Sequence, residues 1–183
     1  PQNRAQQIVY DMQFGWNLGN TFDALPWNDP LNAGNDTEKA WGQPITSMEM
    51  IKGLKALGIN TIRIPISWHN HLEDENYTIS RAWMGRIQQI VDWACEEDMY
   101  VILNIHWDGG WWGMFGSADM EVREKGMELY KSMWSQIAER FNLPVYEVDL
   151  TASGAELSVL PNLANDDRNR VSQAIFAAQM DKL

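Results

Sequence analysis

Apolar positions along this chain switch between two spacings, and the switching predicts strands and helices in alternation. Mainly apolar runs over residues 59–66 and 100–105, and the glycine-containing segment 14–19, predict short strands. A long polar loop over residues 20–44 follows the first segment; after that loop, and after each of the other two runs, apolar residues recur every three or four positions, the spacing of an amphipathic helix. An alternating order of strands and helices is typical of a parallel sheet, so we predict an α/β fold.

Turn and capping residues predict where the helices begin and end. Thr46 lies three residues before Glu49, which predicts a capping box at the start of the first helix, and Gly58 predicts its end. Ser80 and Ser117 are predicted to cap the second and third helices. The predicted inward faces are Ile51, Leu54 and Leu57 in the first helix; Trp83, Ile87, Ile90, Val91 and Ala94 in the second; and Met127, Tyr130, Trp134, Ile137 and Phe141 in the third.

The character of the chain changes near residue 142, after the last tryptophan at Trp134. Residues 145–150 predict a fourth strand and residues 166–180 a fourth helix. The chain would then contain about four βα units, either in an open doubly wound sheet or as half of an eight-unit barrel. No glycine-rich phosphate motif follows a strand, which disfavours a dinucleotide-binding fold.

Charge and cysteine content exclude several partners but do not identify a compartment. The net charge of −11 and the pI near 4.6 disfavour nucleic acid and anionic membrane surfaces, both of which favour Lys and Arg. No apolar run is long enough to cross a bilayer. No signal peptide begins the chain, but its first residue is Pro1, so removal of a leader stays open. The single cysteine, Cys95, cannot form an internal disulfide and falls in a predicted helix, where we expect a buried structural thiol.

Ten tryptophans are the unusual feature of the composition. Those at helical spacing, Trp83, Trp93 and Trp134, are predicted to lie in the core. Trp27, Trp111 and Trp112 follow strands or lie in loops, where an indole can stack on the C–H face of a sugar ring. For these three, packing within the protein is an equally good explanation.

Arg63 and His106 are the strongest candidates for a functional site. Arg63 lies inside an apolar strand, and a buried guanidinium needs a partner, either a carboxylate in a site or a structural acid on a neighbouring strand. His106 ends another strand, so it could bind a catalytic carboxylate or a sugar hydroxyl, or be a satisfied core histidine. We favour the site for Arg63 and leave both explanations open for His106.

Other arrangements of reactive side chains are weaker. His69 and His71, together with His106 and Asp108, resemble scattered metal ligands, but a solvated polar loop explains His69 and His71 better. No serine lies in a nucleophile-elbow sequence, and Cys95 is far from every strand end. We therefore predict no metal and no cofactor.

Four motifs together resemble one enzyme family. They are Gly-Trp-Asn-Leu-Gly-Asn-Thr-Phe-Asp-Ala at 15–24, Trp-Gly-Gln-Pro at 41–44, Ile-Arg-Ile-Pro-Ile-Ser-Trp-His-Asn-His at 62–71 and Ile-Leu-Asn-Ile-His-Trp-Asp-Gly-Gly-Trp at 102–111. In this order they resemble the N-terminal half of a family 5 glycoside hydrolase, nearest to bacterial endo-β-1,4-glucanases of the cellulase and xyloglucanase kind. The resemblance covers roughly residues 5–141.

The resemblance implies a fold, an activity and a set of site residues. It implies a partial (β/α)8 TIM barrel, with residues 1–141 as its N-terminal half and 142–183 as a divergent segment. It also implies a secreted enzyme that hydrolyses a β-glucan by a retaining mechanism. In such an enzyme Arg63 would support the catalytic carboxylates and His106 would line the −1 subsite. The substrate-binding residues implied are Asn20, Trp27, Trp68, His69, Trp107, Trp111 and Trp112.

The expected catalytic acids are the point of departure from the family. The family's Asn-Glu-Pro motif at the fourth strand is absent, and the seventh strand would lie beyond this chain. Glu147 and Asp149 are the acids on the predicted fourth strand; they share one face, with Cα atoms roughly 6.6 Å apart. A retaining glycosidase needs two carboxyl groups about 5–5.5 Å apart. We nevertheless favour ordinary strand or surface acids for this pair.

Three functional hypotheses remain. The first is an endo-β-1,4-glucanase-like glycoside hydrolase that is truncated and not necessarily active alone. The second is a non-catalytic half-barrel that binds β-glucan. The third, compatible with either, is a homodimer formed through the open edges of the half-barrel.

Overall fold

The computed structural model describes residues 4–26 and 37–141. Trp27, Glu147, Asp149 and the predicted fourth strand and helix lie outside the described residues. The helices and strands are α1 (Arg4–Met12), β1 (Gly15–Asn17), α2 (Met48–Ala56), β2 (Thr61–Ile66), α3 (Arg81–Glu96), β3 (Tyr100–Ile105) and α4 (Met120–Arg140). Two 3₁₀ segments, His69–His71 and Asp108–Gly116, follow β2 and β3.

The three strands form one parallel sheet in the order β1, β2, β3, which confirms the predicted α/β arrangement. Asn17 pairs with Arg63 in the register of β1 and β2, and Arg63 pairs with Ile102 in that of β2 and β3. Because the strands are parallel, their carboxyl ends meet at one edge of the sheet. Side chains that follow the strands are therefore brought together there.

One face of the sheet forms the core with the helices. Ile62 and Ile64 of β2 and Leu103 of β3 are almost fully buried against residues of α2, α3 and α4 in a single apolar cluster. Burial of each such side chain contributes about 1.5–3 kcal/mol. Because side chains alternate along a strand, Arg63 and Asn104 project from the opposite face. The sheet thus separates a packed face from a face that carries polar groups.

The tryptophans predicted for the core are confirmed there. Trp83 is fully buried, and its indole nitrogen donates to the Ser67 carbonyl at 3.1 Å. Trp93 and Trp134 are partly buried and pack against the same apolar cluster. Cys95, also on α3, is partly buried and packs against the cluster.

Two of the three predicted helix caps are displaced along the chain. Ser80 caps α3 as predicted. Ser47 rather than Thr46 caps α2, because the Thr46 backbone is held by the buried Glu38 carboxylate, which accepts its N–H at 3.0 Å. Asp119 rather than Ser117 caps α4, because the Ser117 N–H bonds back to the preceding 3₁₀ segment.

Two further differences concern exposed apolar residues. Leu57 was predicted to face the core but is 82% exposed, because α2 ends at Ala56 and the chain turns at Gly58 with φ of +85°. Helix α1 was not predicted, and its apolar residues Val9 and Tyr10 are exposed. None of the helices in the described part of the chain is both long and apolar enough to traverse a membrane.

Candidate functional site

The site is built on the carboxyl edge of the three strands. The Arg63 guanidinium donates a hydrogen bond to the Asn17 side-chain oxygen, joining β2 to β1. Its Nη2 lies 3.4 Å from Nδ1 of His106, just beyond β3. Three adjacent strands therefore contribute one group each. Arg63 was expected to pair with a carboxylate; in the described part of the chain the Asn17 amide accepts instead, and Arg63 forms no ion pair there.

His106 is held by both its backbone and its ring. Its N–H donates to the Ile66 carbonyl at 3.0 Å, which continues the pairing of β2 and β3 by one residue. Its Nε2 lies 3.7 Å from Oδ2 of Asp23. Desolvation lowers the pKa of His106; Asp23 acts in the opposite direction, and the positive charge of Arg63 lowers it further. The ring is thus favoured in its neutral form.

Asp23 is a site residue that the sequence reasoning missed. It lies in the turn after β1, is only 4% exposed, and accepts the Thr21 backbone N–H at 3.0 Å through Oδ1. Its position soon after a predicted strand, within the motif that begins at Gly15, was the signal that could have identified it. Asn20, from the same motif, is exposed in the left-handed region at φ of +59°.

Two of the predicted substrate-binding tryptophans face solvent in the segment that follows His106. Trp107 is 49% exposed and Trp112 is 52% exposed. The Trp112 indole nitrogen donates to the Trp107 carbonyl at 3.1 Å, which fixes the turn that presents both rings. Partly exposed indoles next to hydrogen-bonding side chains can stack on an apolar ring face of a ligand.

Trp68 and Trp111 instead pack inside the protein. Trp68 is fully buried and its indole nitrogen donates to the Asn104 carbonyl at 2.9 Å, so it packs in the core of the described part of the chain. Trp111 is 7% exposed, donates to Asp108 at 2.8 Å and lies edge-on to Phe115. Of the two explanations for Trp111, packing is the one that its surroundings support.

A buried carboxylate joins the segments that follow β2 and β3. Asp108 has no exposed surface and accepts the His69 N–H through both oxygens, at 2.8 and 2.9 Å, in addition to the Trp111 indole. Burial raises the pKa of Asp108 to about 7, although its hydrogen-bond donors oppose the shift. Asp108, Gly109 and Gly110 all have positive φ, so the chain makes a tight turn here before it presents Trp112.

The histidines near this edge are more enclosed than predicted. His69 is partly buried, and desolvation lowers its pKa. His71 is 3% exposed and stacks on Trp83 with ring centroids 3.7 Å apart, so a solvated loop is the wrong description of this residue. Among residues 4–26 and 37–141, no cluster of three or more His, Cys, Asp or Glu is placed to hold a metal ion.

The arrangement suits an uncharged ligand rich in hydroxyl groups. Arg63 and Asn17 supply donors and acceptors on the open face of the sheet, His106 supplies an imidazole, and Trp107 and Trp112 supply exposed aromatic faces. A few convergent polar groups fix orientation while apolar surface supplies contact area, as in most small-ligand sites.

Comparison with known proteins agrees with this chemistry. A family model described as cellulase (glycosyl hydrolase family 5) matches residues 25–146. Endoglucanase B of Clostridium cellulovorans is 40% identical over 138 residues, a match that spans 75% of this chain and 28% of that protein.

Solved structures show the same similarity in three dimensions. A mutant of the glycoside hydrolase 5 lichenase from Caldicellulosiruptor sp. F32, in complex with cellotetraose, has a TM-score of 0.66 and 44% identity over 77% of this chain and 37% of that one. XEG5B is a xyloglucan-specific β-1,4-glucanase from a ruminal metagenomic library, solved in complex with XXLG. It has a TM-score of 0.66 and 36% identity, over 75% of this chain and 36% of that chain.

This chain thus spans between 28% and 37% of the proteins compared. The structural similarity confirms the predicted partial TIM barrel for the part that is aligned. At these levels of identity, and with the family model covering most of the described residues, the chain belongs to the cellulase family, glycosyl hydrolase family 5.

Proposed function

We propose that the chain takes part in the hydrolysis of a β-1,4-linked glucan, with the carboxyl edge of its sheet as the binding surface. The observation that carries this proposal is the convergence of Asn17, Arg63 and His106 from three adjacent strands. Glucan chains present uncharged hydroxyl groups at their edges and C–H surfaces on their faces. The polar cluster matches the first, and the exposed indoles of Trp107 and Trp112 match the second.

Each residue at this edge has a distinct proposed role. Arg63 is a fixed positive charge that orients and stabilises the ionised form of nearby carboxylates, and His106 lines the subsite in which bond cleavage occurs. Asn20 and His69 are proposed to contact the glucan at either side. Trp27 is proposed for the same surface on its sequence position alone, since it lies outside the described residues.

Hydrolysis with retention requires one carboxylic acid that protonates the leaving oxygen and one carboxylate that attacks the anomeric carbon. Glu147 and Asp149 are the weak candidates for these acids on this chain, on their predicted positions alone, and ordinary strand or surface acids stay the favoured interpretation of the pair. Arg63 would favour the ionised nucleophile electrostatically, because an adjacent positive charge lowers the pKa of a carboxyl group.

Reducing-end release from soluble polysaccharides tests the activity. Carboxymethylcellulose, lichenan and xyloglucan are suitable because enzymes similar to this chain are described by activities on such glucans. We expect release that Arg63→Ala abolishes while the circular dichroism spectrum stays unchanged. Unchanged turnover in Arg63→Ala would remove Arg63 from the mechanism.

The second candidate is a half-barrel that binds glucan without cutting it. The exposed pair Trp107 and Trp112 favours this candidate, because stacking on sugar rings needs no catalytic carboxylate. Saturable binding of cellotetraose with no release of reducing sugar would support binding alone. Absence of both binding and release would contradict both candidates.

We also propose that the open edge of the sheet pairs with a second copy of the chain. Phe14 and Trp16, at the β1 edge, are 77% and 49% exposed, and an open edge with apolar side chains favours association. Light scattering at micromolar concentration should give the mass of a dimer, and a monomer mass would exclude this.

Because polymeric glucan does not enter cells, we propose an extracellular site of action.

A further inference from the structure

The two ring nitrogens of His106 face chemically opposite neighbours. Nδ1 lies 3.4 Å from Nη2 of Arg63 and 3.5 Å from the side-chain amide of Asn104. A guanidinium can donate hydrogen bonds but cannot accept them. The amide of Asn104 can present either of its polar atoms, so Arg63 is the neighbour that favours a lone pair on Nδ1.

Nε2 faces a group with the opposite requirement. Oδ2 of Asp23 lies 3.7 Å away, and an ionised carboxylate can only accept. A lone pair on Nε2 would be repelled by this carboxylate, whereas an N–H is attracted. We propose that Arg63 and Asp23 together hold His106 as the neutral tautomer with its proton on Nε2, which makes Asp23 a positioning residue of the site.

Asp23 is itself fixed firmly enough to act in this way. Its Oδ1 accepts the Thr21 N–H at 3.0 Å, and its carbonyl accepts the Ser67 hydroxyl at 3.3 Å. Phe22 beside it is fully buried and lies 5.7 Å from Trp83 between ring centroids. The turn after β1 is thereby attached to the end of β2 and to the core, so the carboxylate has little freedom to leave the imidazole.

The tautomer gives His106 a definite role. A charged imidazolium would direct an N–H at the Arg63 guanidinium, so the neutral form is the one that this surrounding stabilises. A neutral ring whose lone pair faces Arg63 and whose N–H faces Asp23 is a fixed wall of the site, rather than a group that transfers protons. This role in glucan binding rests on the proposed function, whereas the tautomer itself does not.

Nitrogen-15 NMR of the free protein tests the tautomer directly. The chain has three histidines, so His106→Gln assigns the signal of interest. At neutral pH we expect a protonated-type resonance for Nε2 and an unprotonated-type resonance for Nδ1. A proton on Nδ1 in the wild-type protein would overturn the proposal, whatever the variants do.

Asp23→Asn tests the positioning role. Asparagine keeps an oxygen that can accept the Thr21 N–H but removes the charge, so we expect the His106 pKa to fall below its wild-type value and the tautomers to mix. Asp92→Asn, which removes an exposed acid on α3, is the control for net charge and should leave the His106 signals unchanged. Asp23→Asn with wild-type His106 signals would contradict the role of Asp23.

Affinity for cellotetraose links the tautomer to function. Loss of the fixed ring orientation should weaken binding by Asp23→Asn by up to about tenfold, the upper end for one neutral hydrogen bond. If Asp23→Asn binds as tightly as the wild type, Asp23 has no positioning role in glucan binding. If the wild-type protein binds no cellotetraose, the proposed function fails while the NMR result still decides the tautomer.

Discussion

Replacing Asp108 by asparagine is the perturbation with the most specific expected signature. The Asp108 carboxyl group is fully buried, accepts the His69 N–H and the Trp111 indole, and connects the segments after β2 and β3. Asparagine has nearly the same shape but does not ionise. The variant therefore removes the proton equilibrium while it keeps one oxygen acceptor in place.

The structure sets both the sign and the size of the pH effect. Burial raises the pKa of Asp108 from 3.8 to about 7. Between these values the folded protein holds a proton that the unfolded chain releases, so the free energy of unfolding decreases as the pH rises. This contribution is fully present below pH 3.8 and is lost by about pH 7. At about 1.36 kcal/mol for each tenfold change in proton affinity, the loss is roughly 4 kcal/mol.

Urea unfolding, followed by tryptophan fluorescence from about pH 4 to about pH 8, measures this effect. We expect the stability advantage of the wild type over Asp108→Asn to shrink by roughly 4 kcal/mol as the pH rises through this range. Other groups titrate equally in both proteins and cancel in the difference. Asp92→Asn on the surface should show a nearly constant difference from the wild type.

Two outcomes would refute this reasoning about Asp108. A difference that stays constant with pH would mean that the carboxyl group has the same proton affinity in the folded and unfolded states. A difference that grows with pH would mean that its N–H donors hold it ionised, so that hydrogen bonding outweighs desolvation.

Two further substitutions test the aromatic surface and the anchor of the loop before α2. Trp112→Ala should weaken cellotetraose binding about five- to thirtyfold, since a stacked indole is worth roughly 1–2 kcal/mol. Tyr10→Ala on α1 is the matched exposed control. If Trp112→Ala binds cellotetraose as tightly as the wild type, Trp112 is not part of the binding surface. Glu38→Gln should lower the free energy of unfolding by about 2 kcal/mol, because it breaks the bidentate pair with Arg86 at 2.8 and 3.0 Å. A change below about 0.5 kcal/mol in urea unfolding would show that this pair is not an anchor.

Much of the framework could be predicted because it depends on short-range patterns. The strand Tyr100–Ile105 has the predicted bounds, and Ser80 caps α3 as expected, because an apolar run and a capping serine act within a few residues. The placement of Arg63 and His106 at one edge follows from parallel pairing, which the alternation of strands and helices already predicted.

What could not be predicted depends on contacts between distant parts of the chain. Trp68 lies in a site motif but is buried, since its indole reaches the Asn104 carbonyl 36 positions away. Thr46 loses the cap position because Glu38 holds its backbone. Asp23 becomes important only when the turn after β1 meets His106 beyond β3. A one-dimensional pattern contains none of these distances.

Isothermal titration of the wild-type chain and of Arg63→Ala with cellotetraose tests the central claim most directly. The claim is that the cluster of Asn17, Arg63 and His106 binds a β-glucan at the carboxyl edge of the sheet. We predict saturable binding by the wild type and a loss of at least tenfold in affinity for a correctly folded Arg63→Ala, the effect of losing a charged hydrogen-bond donor. No binding by the wild-type chain, or equal affinity in the two proteins, would contradict the account.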